Sequence, residues 1–282
     1  MALTRRRRAS LQRAGLYAVM IIAGAMALLL ADWASIARVF FNPQIMADMM
    51  PEAITVGVRN TIFYTVGAFT FGFVFAVILA LMRLSPVGPY RWIATGYIEF
   101  FRSIPALITI LVVAFGIPIA LGARVPGGIL GTGSVGLGIV AAAYMAETLR
   151  AGIEAVPLGQ AEAARSLGMS SGKAMMFIVL PQAFRIIIPP LTNELVLLIK
   201  DTSLLFVIGT TPLTKELTKF ARDFMALTAN ATPLTVAAIL YLIITLPLTF
   251  LVRRLERSAG KGRRSATDRE NRQESKKAEA AT

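Results

Sequence analysis

The sequence predicts an all-α integral membrane protein with about six transmembrane helices. Three observations lead to this fold class. Of the 282 residues, 56% are hydrophobic and only 16% are charged, which is less charge than a soluble domain of this length carries. The apolar residues occur in long runs, and the mean hydropathy is +0.66. The Lys and Arg residues are distributed unevenly between those runs, as is typical of membrane proteins.

Six apolar runs are candidate spans, and most approach or exceed the ~20 residues that cross ~30 Å of hydrocarbon. The third run contains Pro105 and Pro118, so we expect it to be kinked or broken, and the fifth begins near Pro189 and Pro190. The predicted spans are Ala14–Ala31, Thr61–Met82, Trp92–Leu121, Ser134–Leu149, Ile186–Thr210 and Ala231–Val252.

The first run has two interpretations. Four arginines, Arg5–Arg8, precede it, as in a cleaved signal peptide. No clear small-x-small cleavage site stands near Asp32, and five more spans follow, so we favour an uncleaved first helix.

The positive charge predicts the orientation of the chain. With the N-terminus in the cytoplasm, 21 of the 29 Lys and Arg residues fall on the predicted inner segments and five on the outer ones. The positive-inside rule then places both termini in the cytoplasm. The net charge of +13 would also suit a nucleic-acid-binding protein. The charges are scattered over four inner segments, however, so we expect membrane lipid as a partner and no nucleic acid.

These observations divide the chain into four parts. A basic cytoplasmic N-terminus at 1–13 precedes a first transmembrane helix and an outer loop at 14–54. The main transmembrane domain occupies 55–254 and contains a long cytoplasmic loop at 150–185. The tail at 255–282 is polar and basic without an apolar period, so we expect it to be disordered.

Residue usage argues against an enzyme. The chain has no Cys and no His, which removes thiolate catalysis, Cys-ligated metals and the usual general base. Ser171-Gly172-Lys173 resembles part of a phosphate-binding loop, but Ala174 follows it and Leu167 occupies the position of the first required glycine. We therefore expect no metal site and no nucleotide-binding motif on this chain.

The long inner loop carries the most informative pattern. Pro157 suits the first turn of a helix, and Gly168 suits the residue that stops it. Ser170 or Ser171 can cap a second short helix, which we expect Pro181 to end. The loop therefore reads as a cytoplasmic helix–turn–helix.

The spacing within this loop resembles a known family. Glu162-Ala163-Ala164, three residues, Gly168, nine residues and Ile178-x-Leu180-Pro181 resemble the EAA loop of bacterial ATP-binding cassette (ABC) importer permeases. The resemblance extends to the polar amino-acid branch, the permeases for histidine, glutamine, arginine and similar solutes. It covers roughly Gly57–Val252, with further matching segments at Tyr97–Pro105, Ala143–Ile153, Leu180–Arg185 and Lys200–Leu204.

This resemblance implies a type I-like permease that moves a polar amino acid or similar small solute by alternating access. The implied partners are two cytoplasmic ATP-binding subunits, a second permease copy or related permease, and an extracytoplasmic solute-binding protein. The implied location is a bacterial inner (plasma) membrane. No cofactor is implied on this chain, because the partner ATPase uses ATP and Mg²⁺. Many members of this branch have five spans, so the first helix is an addition.

In the family, the first helix of the loop docks in a cleft of the ATPase subunit. A small-residue stripe formed by Ala161, Ala164 and Gly168 would let another surface approach closely. The residues assigned to ATPase coupling by the resemblance are Glu162, Ala163, Ala164, Gly168, Leu180 and Pro181.

Polar residues inside the fifth span are candidates for the solute path, because charges at membrane depth usually face a cavity or pair with each other. A structural network that locks the helices, or the permease pair, is the alternative. An ion-coupled transporter or channel, an ABC permease for another solute and a membrane scaffold also remain open. The candidate path residues are Asn193, Glu194, Lys200, Asp201, Thr202 and Ser203.

Overall fold

A computed structural model describes the backbone of residues 5–279 and the side chains of residues 13–257. Within that part of the chain the regular structure is helical. Three π-helical segments, Ala53–Val58, Val112–Gly116 and Met175–Val179, and one 3₁₀ segment, Thr202–Val207, continue neighbouring helices. The α-helices are α1 (Arg5–Leu30), α2 (Trp33–Phe40), α3 (Pro43–Glu52), α4 (Arg59–Leu84), α5 (Gly88–Ser103), α6 (Ala106–Leu111), α7 (Ile117–Leu121), α8 (Gly128–Glu154), α9 (Leu158–Ser166), α10 (Ser171–Ala174), α11 (Leu180–Asp201), α12 (Leu217–Thr228) and α13 (Thr232–Glu279).

The predicted fold class is confirmed. Among the described residues, five helical stretches are long and apolar enough to cross a membrane, and a bent pair of helices supplies a sixth candidate. The five stretches are Arg13–Leu30, Trp33–Leu84, Gly128–Glu154, Ser171–Val207 and Thr232–Arg257.

The bent pair is the third predicted span, and it breaks at Pro105. Helix α5 and the α6–α7 segment meet there at 106°. Ile104 is extended, as the residue before a proline prefers, and Pro105 precedes the first turn of α6. Pro118 causes no break, because it lies in the first turn of α7, where a missing N–H is tolerated.

The segment before residue 55 that the sequence predicts as an outer loop contains two helices, α2 and α3. The Asp32 carboxylate accepts a hydrogen bond from the Ser35 N–H at 3.0 Å and caps α2. Asn42 caps α3 by accepting from the N–H groups of Gln44 and Ile45. These are ordinary helix-start signals. Helix α3 then continues through the π-helical segment into α4.

The prediction that Pro181 ends a short helix is wrong. The helical path continues from Ser171 to Val207, and Pro181 lies in the first turn of α11, directly after a π-helical segment. Pro189 and Pro190, predicted near the start of a span, lie inside α11. Proline is accommodated in membrane helices by neighbouring groups and local adjustments of the helix.

The last helix, α13, continues to Glu279, into the stretch that the sequence predicts to be disordered from residue 255. That stretch is rich in Ala, Glu, Lys and Arg, which have high intrinsic helix propensity. Residues 1–4 of the basic N-terminus and 280–282 of the tail lie outside the described residues.

The core forms where α4 and α8 approach closely, because glycines face each other at the crossing. Gly72 of α4 and Gly138 of α8 leave so little space that a Cβ on Gly72 would lie 2.9 Å from the Gly138 carbonyl oxygen. Small residues at such crossings let membrane helices pack backbone to backbone. A second cluster joins α3, α12 and α13 around Met49, Leu217 and Val236.

Candidate functional site

The loop between α8 and α11 folds around α9, which ends at Gly168 as predicted. Gly168 has φ +88°, a left-handed conformation that glycine adopts without a steric penalty. Its N–H donates to the Arg165 carbonyl at 2.9 Å, and the Met169 N–H donates to the Ala164 carbonyl at 3.1 Å. This pair of bonds is the Schellman motif, which satisfies the free carbonyls of a helix end.

The two faces of α9 have different environments. Ala164 is only 5% exposed, and Ala161 packs against the core of the chain itself. Two residues of the small-residue stripe, Ala161 and Ala164, therefore let α9 lie close to its own transmembrane domain, whereas Gly168 is exposed. The outward side presents Glu162 and Ala163, flanked by Leu158 and Leu167, which are 80% and 87% exposed.

Leu180 and Pro181 lie on a different element from α9. Both belong to the first turn of α11, where Leu180 is half-buried and Pro181 is exposed. The amides of Gln182 and Gln160 connect this turn to α9, at 3.4 Å between Nε2 and Oε1. Leu180 and Pro181 therefore begin the helix whose first turn contacts α9.

A cavity of about 270 Å³ lies between α8 and α11, beside the break at Pro105. Each of the two helices contributes one face with the spacing i, i+3, i+4, i+7, and these residues share one side of a helix. The cavity is lined by Leu137, Val140, Ala141 and Tyr144 from α8, by Glu194, Leu197, Leu198 and Asp201 from α11, and by Ile104 and Ala106 at the break. The α9 loop joins the two helices that form this cavity.

The structure separates the predicted path residues. Glu194 and Asp201 line the cavity, two helical turns apart. Asn193 and Lys200 are exposed and do not line it. Thr202 is fully buried, and its hydroxyl donates to the Ile199 carbonyl at 2.6 Å.

Ser203 is half-buried and also does not line the cavity. Only the two carboxylates of the predicted set therefore meet at the site.

Sequence reasoning missed Tyr144 as a lining residue. The Arg102 guanidinium lies 5.6 Å from the centre of the Tyr144 ring, within the range of a cation–π contact. Tyr144 stands three residues before Glu147 in a segment that matches the family pattern. The signal that could have identified it is its position on the same helix face as Leu137, Val140 and Ala141.

An ion network lies one turn beyond Tyr144, where α8 leads into the loop. Arg83 of α4 has its Nη1 atom 3.6 Å from Glu147 Oε2 and 3.9 Å from Glu99 Oε1. Arg150 pairs with both Glu147 and Glu154. The network ties α4, α5 and α8 together at the end of the cavity nearest to α9.

At the opposite membrane face, Glu216 holds the start of α12. Its carboxylate accepts the N–H groups of Thr218 and Lys219, both at 2.6 Å, and the Tyr241 hydroxyl at 3.2 Å. Burial raises the pKa of Glu216 to about 7, and the hydrogen bonds only partly oppose this rise. The role of this carboxyl is structural, because it caps the first turn of α12 and its hydrogen bond with Tyr241 joins α12 to α13.

Comparison with known proteins agrees with this arrangement. Residues 72–261 match the family described as "Binding-protein-dependent transport system inner membrane component", over more than half of the chain. The chain belongs to this family. The resemblance stated from the EAA-like loop is thereby confirmed.

Individual members of this family of transport components are similar over most of their length. The chain is 38% identical to the probable glutamine ABC transporter permease protein GlnM of Bacillus subtilis (strain 168), over 72% of this chain and 93% of that protein. It is 35% identical to the arginine transport system permease protein ArtQ of the same organism, over 71% and 90%. A chain in a crystal structure of an amino acid ABC transporter with histidines superposes with a TM-score of 0.68 at 34% identity, over 76% of this chain and 96% of that chain.

Proposed function

We propose that this chain is the permease subunit of a bacterial ABC importer for amino acids, and that its solute carries a cationic group. Family membership and the names of the relatives support amino-acid import. The observation that carries the solute class is the cavity between α8 and α11, into which Glu194 and Asp201 both face. The bacterial inner membrane is the proposed location, with both termini in the cytoplasm.

Two carboxylates in one cavity favour the binding of a positively charged group, because opposite charges attract. Neither Glu194 nor Asp201 has a Lys or Arg partner within 4 Å among the described residues. An ammonium or guanidinium group would supply that partner through charge-assisted hydrogen bonds. The apolar lining around them suits an aliphatic stem. Arg102, whose guanidinium lies 5.6 Å from the ring centre of the lining residue Tyr144, would meet the carboxylate of the same solute.

The transport cycle would act through α9. We propose that two ATP-binding subunits dock on α9 of this chain and of a second permease, around Glu162 and Ala163. ATP and Mg²⁺ would bind to those subunits and not to this chain. Because the loop connects α8 to α11, a movement of α9 would change the distance between the two walls of the cavity. A solute-binding protein would deliver the solute at the opposite face.

The coupling proposal is tested with Glu162→Arg in the complex purified with its ATPase subunit. Glu162 is exposed on the outward side of α9, so reversing its charge should release the ATPase without unfolding the permease. Glu256→Arg is the matched control, because Glu256 is exposed on α13 at the same predicted membrane side. A Glu162→Arg complex that retains its ATPase and transports normally would refute the proposal.

The solute class is tested by equilibrium binding of radiolabelled arginine to the same purified complex. Glu194→Gln and Asp201→Asn should each weaken arginine binding by roughly 10-fold or more, because a hydrogen bond to a charged group contributes about 1.5–3 kcal/mol. Asn193→Ala is the control, since Asn193 is exposed beside Glu194 and does not line the cavity. Unchanged arginine affinity in both carboxylate variants would refute the cationic solute and leave the permease assignment intact.

A further inference from the structure

The short helix α2 presents large apolar side chains that the rest of the chain leaves uncovered. Trp33, Phe40 and the following Phe41 are 54%, 45% and 54% exposed, and α2 contains no buried residue. Trp33, Ile36 and Phe40 lie on one face at the spacing i, i+3, i+7, whereas Arg38 lies on another. This is the pattern of an amphipathic helix whose apolar face needs a covering.

The position of α2 along the membrane normal follows from α1. The apolar part of α1, Arg13–Leu30, has no buried residue, so the described part of the chain leaves this span open to lipid. Its 18 residues extend about 27 Å at ~1.5 Å per residue, which nearly matches the ~30 Å hydrocarbon core. Trp33 begins three residues later, so it lies where the hydrocarbon ends.

The other end of α2 is held at the same membrane face. The Asn230 amide donates to the Arg38 carbonyl at 2.9 Å, and the Thr232 hydroxyl donates to the Val39 carbonyl at 3.2 Å. The Asn42 N–H donates to the same hydroxyl at 3.0 Å. Thr232 is the first residue of the spanning helix α13. Both ends of α2 are therefore fixed at ends of spanning helices.

Trp33 is suited to an apolar surrounding because its one polar group is already paired. The indole N–H donates to the Leu28 carbonyl at 2.7 Å, in the last turn of α1. That carbonyl is one of those that a helix end leaves without an intrahelical partner. The ring can consequently enter the acyl region without losing a hydrogen bond to water.

We propose that α2 is an interfacial anchor that lies in the boundary between acyl chains and headgroups, on the membrane face opposite α9. Its partner is phospholipid, because α2 continues directly from an apolar spanning helix that the described part of the chain leaves uncovered. Aromatic residues concentrate at this boundary in membrane proteins. Arg38 and Asp32 would meet the headgroups, and Trp33, Phe40 and Phe41 the upper acyl chains. The three hydrogen bonds to the α12–α13 junction would join this anchor to the transmembrane domain.

The test uses the two tryptophans of the chain, Trp33 and Trp92. The Trp92→Phe variant, full length and reconstituted in phosphatidylcholine vesicles, reports on Trp33 alone. Lipids brominated at shallow acyl positions should quench its fluorescence more strongly than lipids brominated near the bilayer centre. A probe for the centre is Ile22→Trp in a chain with Trp33→Phe and Trp92→Phe, which should show the reverse order. A Trp33 that aqueous iodide quenches and bromolipids do not would overturn the proposal.

Cysteine labelling separates lipid from a protein covering, since the native chain contains no cysteine. With a membrane-impermeant maleimide on the same vesicles, Arg38→Cys should react at once and Phe40→Cys should react only after detergent dissolves the bilayer. Equal reactivity of the two variants in vesicles would refute the anchor. A Phe40→Cys that stays protected in detergent would also refute it, because protein rather than lipid would then cover α2.

Discussion

The close crossing of α4 and α8 makes Gly72 a sensitive position. Its Cβ, if present, would lie 2.9 Å from the Gly138 carbonyl oxygen and 2.8 Å from the Met145 methyl group. The methyl group can rotate away, but the carbonyl belongs to the backbone of a core helix. Gly72→Ala should therefore force the two helices apart by a few tenths of an ångström. Gly96→Ala is the matched control, because a Cβ there meets nothing within 4 Å.

The expected magnitude follows from two opposing terms. Overpacking of a filled crossing costs about 1–3 kcal/mol. Replacing a helical glycine by alanine contributes about 1 kcal/mol of stability in either helix. The gain from alanine is the same in both variants, so the difference between their free energies of unfolding is the cost of overpacking, about 2 kcal/mol. At about 2–4 °C per kcal/mol, Gly72→Ala should melt about 4–8 °C below Gly96→Ala.

The assay is thermal unfolding of the two variants in the same detergent, followed by circular dichroism at equal scan rate. Gly72→Ala should also reduce transport, because the face of α8 that lines the cavity includes Leu137 and Ala141, next to Gly138. A Gly72→Ala protein that melts at or above the temperature of Gly96→Ala would refute the close approach of α4 and α8 at this crossing.

Three further predictions test other parts of the structure. Because the pKa of Glu216 is raised from 4.5 to about 7, its contribution to the free energy of unfolding is fully present below pH 4.5 and falls by about 3 kcal/mol as the pH rises through 7. Glu216→Gln should therefore flatten the pH dependence of the melting temperature over this range. An unchanged pH dependence in the variant would assign it to another group. Glu147→Gln should lower the free energy of unfolding by about 1–3 kcal/mol, because it removes a charged partner from both Arg83 and Arg150. Glu99→Gln should have little effect, because the Glu99 side chain is 61% exposed and lies 3.9 Å from Arg83. Equal losses of stability in the two variants would contradict the network. For orientation, an impermeant maleimide on intact cells should label Leu227→Cys and not Ala163→Cys, and the opposite pattern would reverse the topology.

The sequence by itself determined the features that depend on local chemistry. Apolar runs predicted the spanning helices, because each must exceed a length that the bilayer sets. Gly168 predicted the end of α9, since the left-handed conformation favours glycine. Pro105 predicted the break in the third span for a similarly local reason. The EAA-like spacing predicted the family, because it is read along the chain without reference to packing.

Local rules were less reliable where two interpretations compete. Asp32, and Asn42 followed by Pro43, are helix-start signals within a segment that the apolar runs alone predict as an outer loop. Pro181 was predicted to end a helix, but a proline in a first turn is compatible with a helical path that continues.

Only the tertiary structure decided which residues of each helix face the cavity, the core or the outside. In α11, Glu194 and Asp201 face the cavity while Asn193 and Lys200, one residue before each, do not. In α9, Ala164 packs inward and Glu162 faces outward. The sequence shows that such residues are polar or small, but burial depends on the neighbouring helix, and its approach is set by long-range contacts such as those of Gly72 and Gly138.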